Sequence, residues 1–140
     1  MNILLAADGS SYTKHMLGYV AAHEDWLGAH HRYVVVTAVP SIPPRAASAL
    51  GRDIVKGYYD DEAEIVFKPI RTFFKGRGIT AEFVSKVGPA AEVIAKQADK
   101  GSFDLLMMGS HGHGSVVNAV MGSVATKVIA HCKTPVLLVR

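Results

Sequence analysis

Gly109-Ser110-His111-Gly112 stands directly behind the apolar run Leu105-Leu106-Met107-Met108, and Gly122-Ser123 follows after nine further residues. A strand that empties into glycines suits a binding loop, because backbone N–H groups approach an anion closely where no side chain intervenes, and glycine takes φ > 0 without penalty. Ser123 is expected to cap a helix carried by Val124, Ala125, Val128 and Ile129, whose first N–H groups would point at the same anion. The chemistry expected is phosphate binding shared between one loop and one helix start. The competing reading is that these glycines only punctuate turns. The spacing excludes two commoner phosphate motifs: no lysine follows the second glycine as G-x-x-x-x-G-K-[ST] requires, and no G-x-G-x-x-G opens the first helix.

Positioning such a loop takes a sheet. Apolar runs at Ile3–Ala7, Tyr33–Val39, Phe83–Val87, Leu105–Met108 and Val136–Val139 are separated mostly by helix-period segments, the β-α-β alternation of a parallel sheet. Four of them, the third excepted, are almost continuously apolar, as strands covered on both faces are. The first helix is expected from Ser10 or Ser11 as N-cap, through Met16, Tyr19, Val20 and Leu27, to about Gly28. A long helical segment from about Asp53 to Lys75 contains Pro69, which should bend or divide it. Pro89 suits the first position of a helix that runs to Gly101. Ser41–Gly51, rich in proline and then alanine, reads as a loop with a short helix or a flap; it leaves the carboxyl end of the second strand and is a lid candidate or a plain surface loop.

Composition narrows the classes. The chain has 140 residues, 49% hydrophobic and 19% charged, which suits one compact α/β domain. No segment reaches the roughly 18 apolar residues of a membrane span. Met1–Asp8 is apolar but has no basic start and ends on an acid, so it reads as a core strand, and a cytoplasmic location is expected. Cys132 is the single cysteine, which forbids an internal disulfide. The net charge is +3, but the fifteen Lys and Arg are dispersed with no run and no interleaved aromatics, so nucleic acid is not expected as a partner.

The G-x2-G-x9-G-[ST] spacing, the opening Asn2-Ile3-Leu4-Leu5-Ala6-Ala7-Asp8-Gly9-Ser10 and the ending Thr134-Pro135-Val136-Leu137-Leu138-Val139 together resemble the nucleotide-binding branch of the universal stress protein family. The resemblance covers residues 1–140 and is weakest from about Ser41 to Gly76. It implies a single-domain, open, parallel five-stranded sheet of order 3-2-1-4-5 with helices on both faces, Rossmann-like or adenine nucleotide α-hydrolase-like. In that order Asp8 and Gly109 emerge side by side. The resemblance also implies a pocket in which Ala6, Ala7 and Asp8 meet Ala38 and Val39 at the adenine. Met108 would be an apolar wall, and Gly109, Ser110, His111, Gly112, Gly122, Ser123 and Val124 would surround the ribose and phosphates. Asp8 suits hydrogen bonds from ribose hydroxyls or the adenine amino group; a turn or helix cap is the alternative.

Between the glycine elements, residues 113–121 hold no Lys or Arg, so backbone dipoles and a metal ion would carry the phosphate charge. The expected ligand is ATP, or ADP or AMP, held modestly and with Mg²⁺. His111 and His113 lack a nearby third ligand in sequence and read as polar lining near the phosphates, without a zinc site. No G-x-S-x-G elbow and no cationic clamp supports an enzyme. The reading is a nucleotide-dependent stress-response regulator acting on a protein partner whose identity is unknown; the alternatives are a slow ATPase or self-phosphorylating enzyme, and a dimeric module that binds no nucleotide. Val136–Val139, at the sheet edge in the family order, is expected to pair with its mate in a homodimer.

Overall fold

A computed structural model describes residues 1–114 and 118–140. Along the chain come β1 (Asn2–Ala6), α1 (Ser11–Ala22), α2 (Glu24–Leu27), β2 (Arg32–Val39), α3 (Pro44–Leu50), α4 (Arg52–Gly76) and β3 (Ala81–Val87), followed by α5 (Ala90–Lys100), β4 (Leu105–Gly109), α6 (Ser123–His131) and β5 (Val136–Val139). The strands form one parallel sheet in the order β3-β2-β1-β4-β5. Successive side chains on a strand point to opposite faces. Ile3, Leu5, Tyr33 and Val35 therefore meet α1 and α4 on one side, while Leu4, Ala6, Val34 and Val36 meet α5 and α6 on the other. Both faces are covered, which is why the central strands read as nearly continuous apolar runs.

Several helices differ from the sequence reading. The expected first helix is two helices, because the chain leaves helical geometry at His23 (φ −129°, ψ 44°), where the imidazole Nδ1 donates to Tyr19 O at 2.8 Å. α4 runs unbroken through Pro69. The missing proline N–H leaves the Ile65 carbonyl without its helical donor, but Pro69 is exposed and Ile65 is 68% exposed, so the break lies on the solvent side of the helix. The opposite side of α4 buries Phe67, Ile70 and Phe74 at helical spacing and holds the helix to the sheet. Residues 44–50 form α3 against α4, anchored where the Tyr59 hydroxyl accepts from Ile42 N at 2.8 Å. Pro89 is the N-cap of α5 and not its first helical residue. Tyr33 is buried and its hydroxyl donates to Leu27 O and Gly28 O, and burial pushes its pKa up to about 12.

Candidate functional site

The connection after β1 runs towards β2 and the connection after β4 runs towards β5, so the chain diverges between the neighbours β1 and β4. Open α/β sheets bind ligands in the crevice that such divergence leaves at the carboxyl edge. Here Ala6 lies beside Met108 and a cleft opens above them. A cavity of about 80 Å³ is walled by Ala6, Ala7, Val36, Ala38 and Met108 of the sheet edge, with Tyr12 and Thr13 of α1 on one side and Ala90 and Ile94 of α5 on the other. A second cavity of about 190 Å³ adjoins it, sharing Asp8, Gly109, His111, Gly112 and Val124 and adding His113, Gly122 and Ser123.

The β1–α1 loop is held by its own side chains. Asp8 Oδ1 accepts from Ser10 N at 2.9 Å and from Thr13 Oγ1 at 3.1 Å. Thr13 Oγ1 in turn accepts from Asp8 N at 3.1 Å and Gly9 N at 3.2 Å. Gly9 makes this turn with φ 77°, a conformation that L side chains rarely adopt. Asp8 therefore caps a turn with one oxygen, while Oδ2 faces Gly112 across the cleft: a Cβ added at Gly112 would lie 2.6 Å from it.

The β4–α6 loop uses glycine for proximity. Gly109, Gly112 and Gly122 are not among the glycines with positive φ, contrary to the expectation of a left-handed cradle. A Cβ on Gly122 would lie 3.1 Å from His111 Cα and 3.2 Å from Ser110 O, because Gly122 N donates to Ser110 O at 2.6 Å. Gly122 is also the N-cap of α6, in extended geometry (φ −72°, ψ 163°), which corrects the placement of Ser123 as cap; Ser123 is the first helical residue and exposed. The two histidines brace backbone: His111 Nε2 donates to Ala119 O at 2.8 Å and His113 Nε2 donates to Asp8 O at 2.7 Å. The His111 ring also packs against Tyr12, with centroids 5.2 Å apart.

Nine of the thirteen residues expected at the site line the first cavity: Ala6, Ala7, Asp8, Ala38, Met108, Gly109, His111, Gly112 and Val124. Gly122 and Ser123 line the adjoining one. Ser110 and Val39 line neither. Ser110 is buried and ties β4 to β5, donating its N–H to Val139 O at 2.8 Å; Val39 turns into the α1/α4 core and its carbonyl accepts from Gly88 N at 3.0 Å. Tyr12, Thr13, Val36, Ala90 and Ile94 were not anticipated. Tyr12 and Thr13 follow Asp8 at the start of α1, Val36 pairs with Ala6, and Ala90 and Ile94 come from α5, which the packing of the sheet brings over the cleft. Residues 41–51 line neither cavity, and Ser115–Val117 lie outside the described residues.

No Lys or Arg lines either cavity among the described residues. Positive potential comes instead from the starts of α1 and α6, whose first-turn N–H groups lack helical acceptors. The walls are apolar below and backbone-rich above, an arrangement suited to a flat apolar ring with an anionic tail.

The model of the Universal stress protein family matches residues 1–140. The chain belongs to this family. A universal stress protein of Thermus aquaticus, encoded in the QAH/OAS sulfhydrylase 3′ region, is 30% identical over 139 residues, covering 99% of this chain and 97% of that one. Slr1230 of Synechocystis is 28% identical over 138 residues, and the chain spans 42% of its length. Among solved structures, MJ0577 superposes with a TM-score of 0.76 at 23% identity, covering 99% of this chain and 94% of that one. A universal stress protein in complex with cAMP and one from Archaeoglobus fulgidus in complex with dAMP each give 0.69, at 20% and 19% identity, covering 100% of this chain and 97% and 98% of those. At these identities the likeness is one of fold, and it places this chain's five-stranded α/β architecture within the family. No helix among the described residues is long and apolar enough to cross a membrane.

Proposed function

We propose that the chain binds an adenine nucleotide, ATP or a shorter relative, in the cleft between β1 and β4 and uses its occupancy to regulate a protein partner in the stress response, inside the cytoplasm. The observation that carries this reading is the cleft itself: two helix starts and a glycine loop converge on an apolar slot at the divergence point of the sheet. The complexes of family members with cAMP and dAMP support the choice of nucleotide class. The base would lie between Ala38 and Met108, and the phosphates above Gly112 and the start of α6. Each cavity is smaller than the ~300 Å³ usual for a drug-sized ligand, so binding displaces the Gly112 side of the loop from Asp8.

Magnesium would arrive with the nucleotide. No group of three His, Cys, Asp or Glu able to hold a metal exists among the described residues. Asp8 Oδ2 fits a cation that takes most of its oxygens from phosphate and water, since the bonds to Ser10 and Thr13 use Oδ1. Bound there, the ion would neutralise phosphate charge that no cationic side chain lining the cavities meets.

Ser123→Asp tests the phosphate assignment. An acid in the first turn of α6 favours the helix dipole but repels an anion at that turn, and Ser123 is exposed, so folding is retained. Isothermal titration with ATP and Mg²⁺ should show affinity lowered by about tenfold or more with an unchanged melting temperature, since 1.4 kcal/mol is one decade. Equal affinity in parent and variant, or no binding of ATP, ADP or AMP by the parent at millimolar concentration, sinks the proposal. The protein would work as a homodimer, because β5 pairs with β4 alone and leaves Val136, Leu137 and Leu138 half-buried. Light scattering should give twice the 15.0 kDa chain mass, and a monomer at micromolar concentration would exclude this pairing.

A further inference from the structure

The opposite edge of the sheet carries a different surface. β3 pairs with β2 alone, and none of its seven residues is fully buried. α4 covers one face of it, while on the other Val84 packs against the core beneath α5, which lies over β2 and leaves the end of β3 at Lys86 and Val87 exposed. A groove of about 280 Å³ results, lined by Lys86 and Val87 of the strand and by Glu92, Lys96, Gln97 and Lys100 of the helix. Three lysines face one glutamate, and none of the three pairs with a carboxylate among the described residues. Lys96 and Lys100 are four apart on α5, where like charges repel, while Glu92 is four before Lys96 and offsets part of that, leaving an excess of positive charge along the groove.

Backbone groups run beside these ammonium groups. Gly88 N donates to Val39 O, so alternation along a parallel strand turns the N–H and C=O of Phe83, Ser85 and Val87 away from β2. An edge of this kind templates another strand. The geometry points to the β3–α5 groove as a docking site for an extended acidic peptide, which adds to the sheet along β3 and sets alternate carboxylates against Lys86, Lys96 and Lys100. The charge selects an acidic partner, and the unpaired main chain selects a peptide over a nucleic acid or a free phosphate. α5 separates the two sites: Ala90 and Ile94 wall the nucleotide cleft, while Val93 and Lys96 wall the groove. The inference does not depend on what the cleft holds.

The test uses a fluorescein-labelled heptapeptide alternating Glu and Val, titrated into the whole protein and read by anisotropy. Two further peptides carry N-methyl groups on one or the other set of alternate amides. Expected are saturable binding, a loss of about tenfold or more in the Lys96→Glu/Lys100→Glu variant, and a similar loss for one N-methylated peptide but not the other, because only one set of amides would face β3. Both lysines are exposed, so the variant keeps its fold. Equal binding of all three peptides would reduce the groove to non-specific charge attraction and overturn the proposal. So would no binding at millimolar concentration, or tighter binding of tripolyphosphate or a single-stranded oligonucleotide than of the peptide.

Discussion

The two loops that face each other across the β1/β4 cleft are built by different means. The β1–α1 loop closes on itself: one carboxylate and one buried hydroxyl, Asp8 and Thr13, satisfy three backbone N–H groups within six residues of chain, from Asp8 to Thr13. The β4–α6 loop, between Ser110 and Gly122, is tied among the described residues by Gly122 N on Ser110 O across its base, by His111 on Ala119 O within the loop, and by His113 on Asp8 O of the facing loop. The first wall is set by local bonds that form as soon as the turn forms. The described bonds of the second join residues farther apart in the chain, Ser110 with Gly122, His111 with Ala119 and Asp8 with His113, so they are not made by a single turn, and this is the wall expected to yield. A cleft with one fixed and one yielding wall can be closed when empty and still admit a ligand.

The largest effect should come from breaking the fixed wall. Thr13→Val keeps the shape of a 94%-buried side chain and removes the oxygen that accepts from Asp8 N and Gly9 N and donates to Asp8 Oδ1. Leaving such groups without partners costs about 2 kcal/mol, with ~1–3 as the range for one unsatisfied buried group. Chemical denaturation should show that loss, and Thr13→Ser should recover most of it. A Thr13→Val variant as stable as the parent would mean that the loop is held by packing and that the contrast between the walls is false.

The contrast also marks what was legible in the residues. Strand positions were, because burial on both faces leaves Ile3–Ala7 wholly apolar and Tyr33–Val39 nearly so, with Thr37 its one interruption. Strand order was not readable from periodicity; it came through the family resemblance, and it alone joins Asp8 to Gly109. The glycines announced a loop, but for an incomplete reason: they permit contacts at Asp8 Oδ2, Ser110 O and Tyr12 Cβ, and positive φ is not used. Thr13 and Tyr12 were hidden because residues in the first turn of an amphipathic helix read as helix face before the neighbouring strand is known. Pro69 does not divide α4 because its cost depends on which side of the helix it occupies, and exposure is a tertiary fact. Ser123 misled by one position, since Gly122 already holds the extended geometry a cap requires.

His113→Ala is the finest probe of the yielding wall. His113 is exposed and makes one recorded bond, to the Asp8 carbonyl, which links the two loops directly. A single exposed hydrogen bond contributes about 0.5 kcal/mol, the low end of the usual range, so global stability should hardly change. Local opening is a different quantity, because a segment held at few points exchanges its amides through fluctuations smaller than unfolding. Hydrogen exchange of a peptide covering Gly109–Gly114 should therefore accelerate in the variant, while one covering Asp8–Met16 keeps its parental rate, since Thr13 and Asp8 Oδ1 remain in place. Acceleration in both peptides would show that His113 also holds the first loop. No change in either would mean that the second wall is held by contacts other than this ring, and that ligand entry must open the cleft elsewhere.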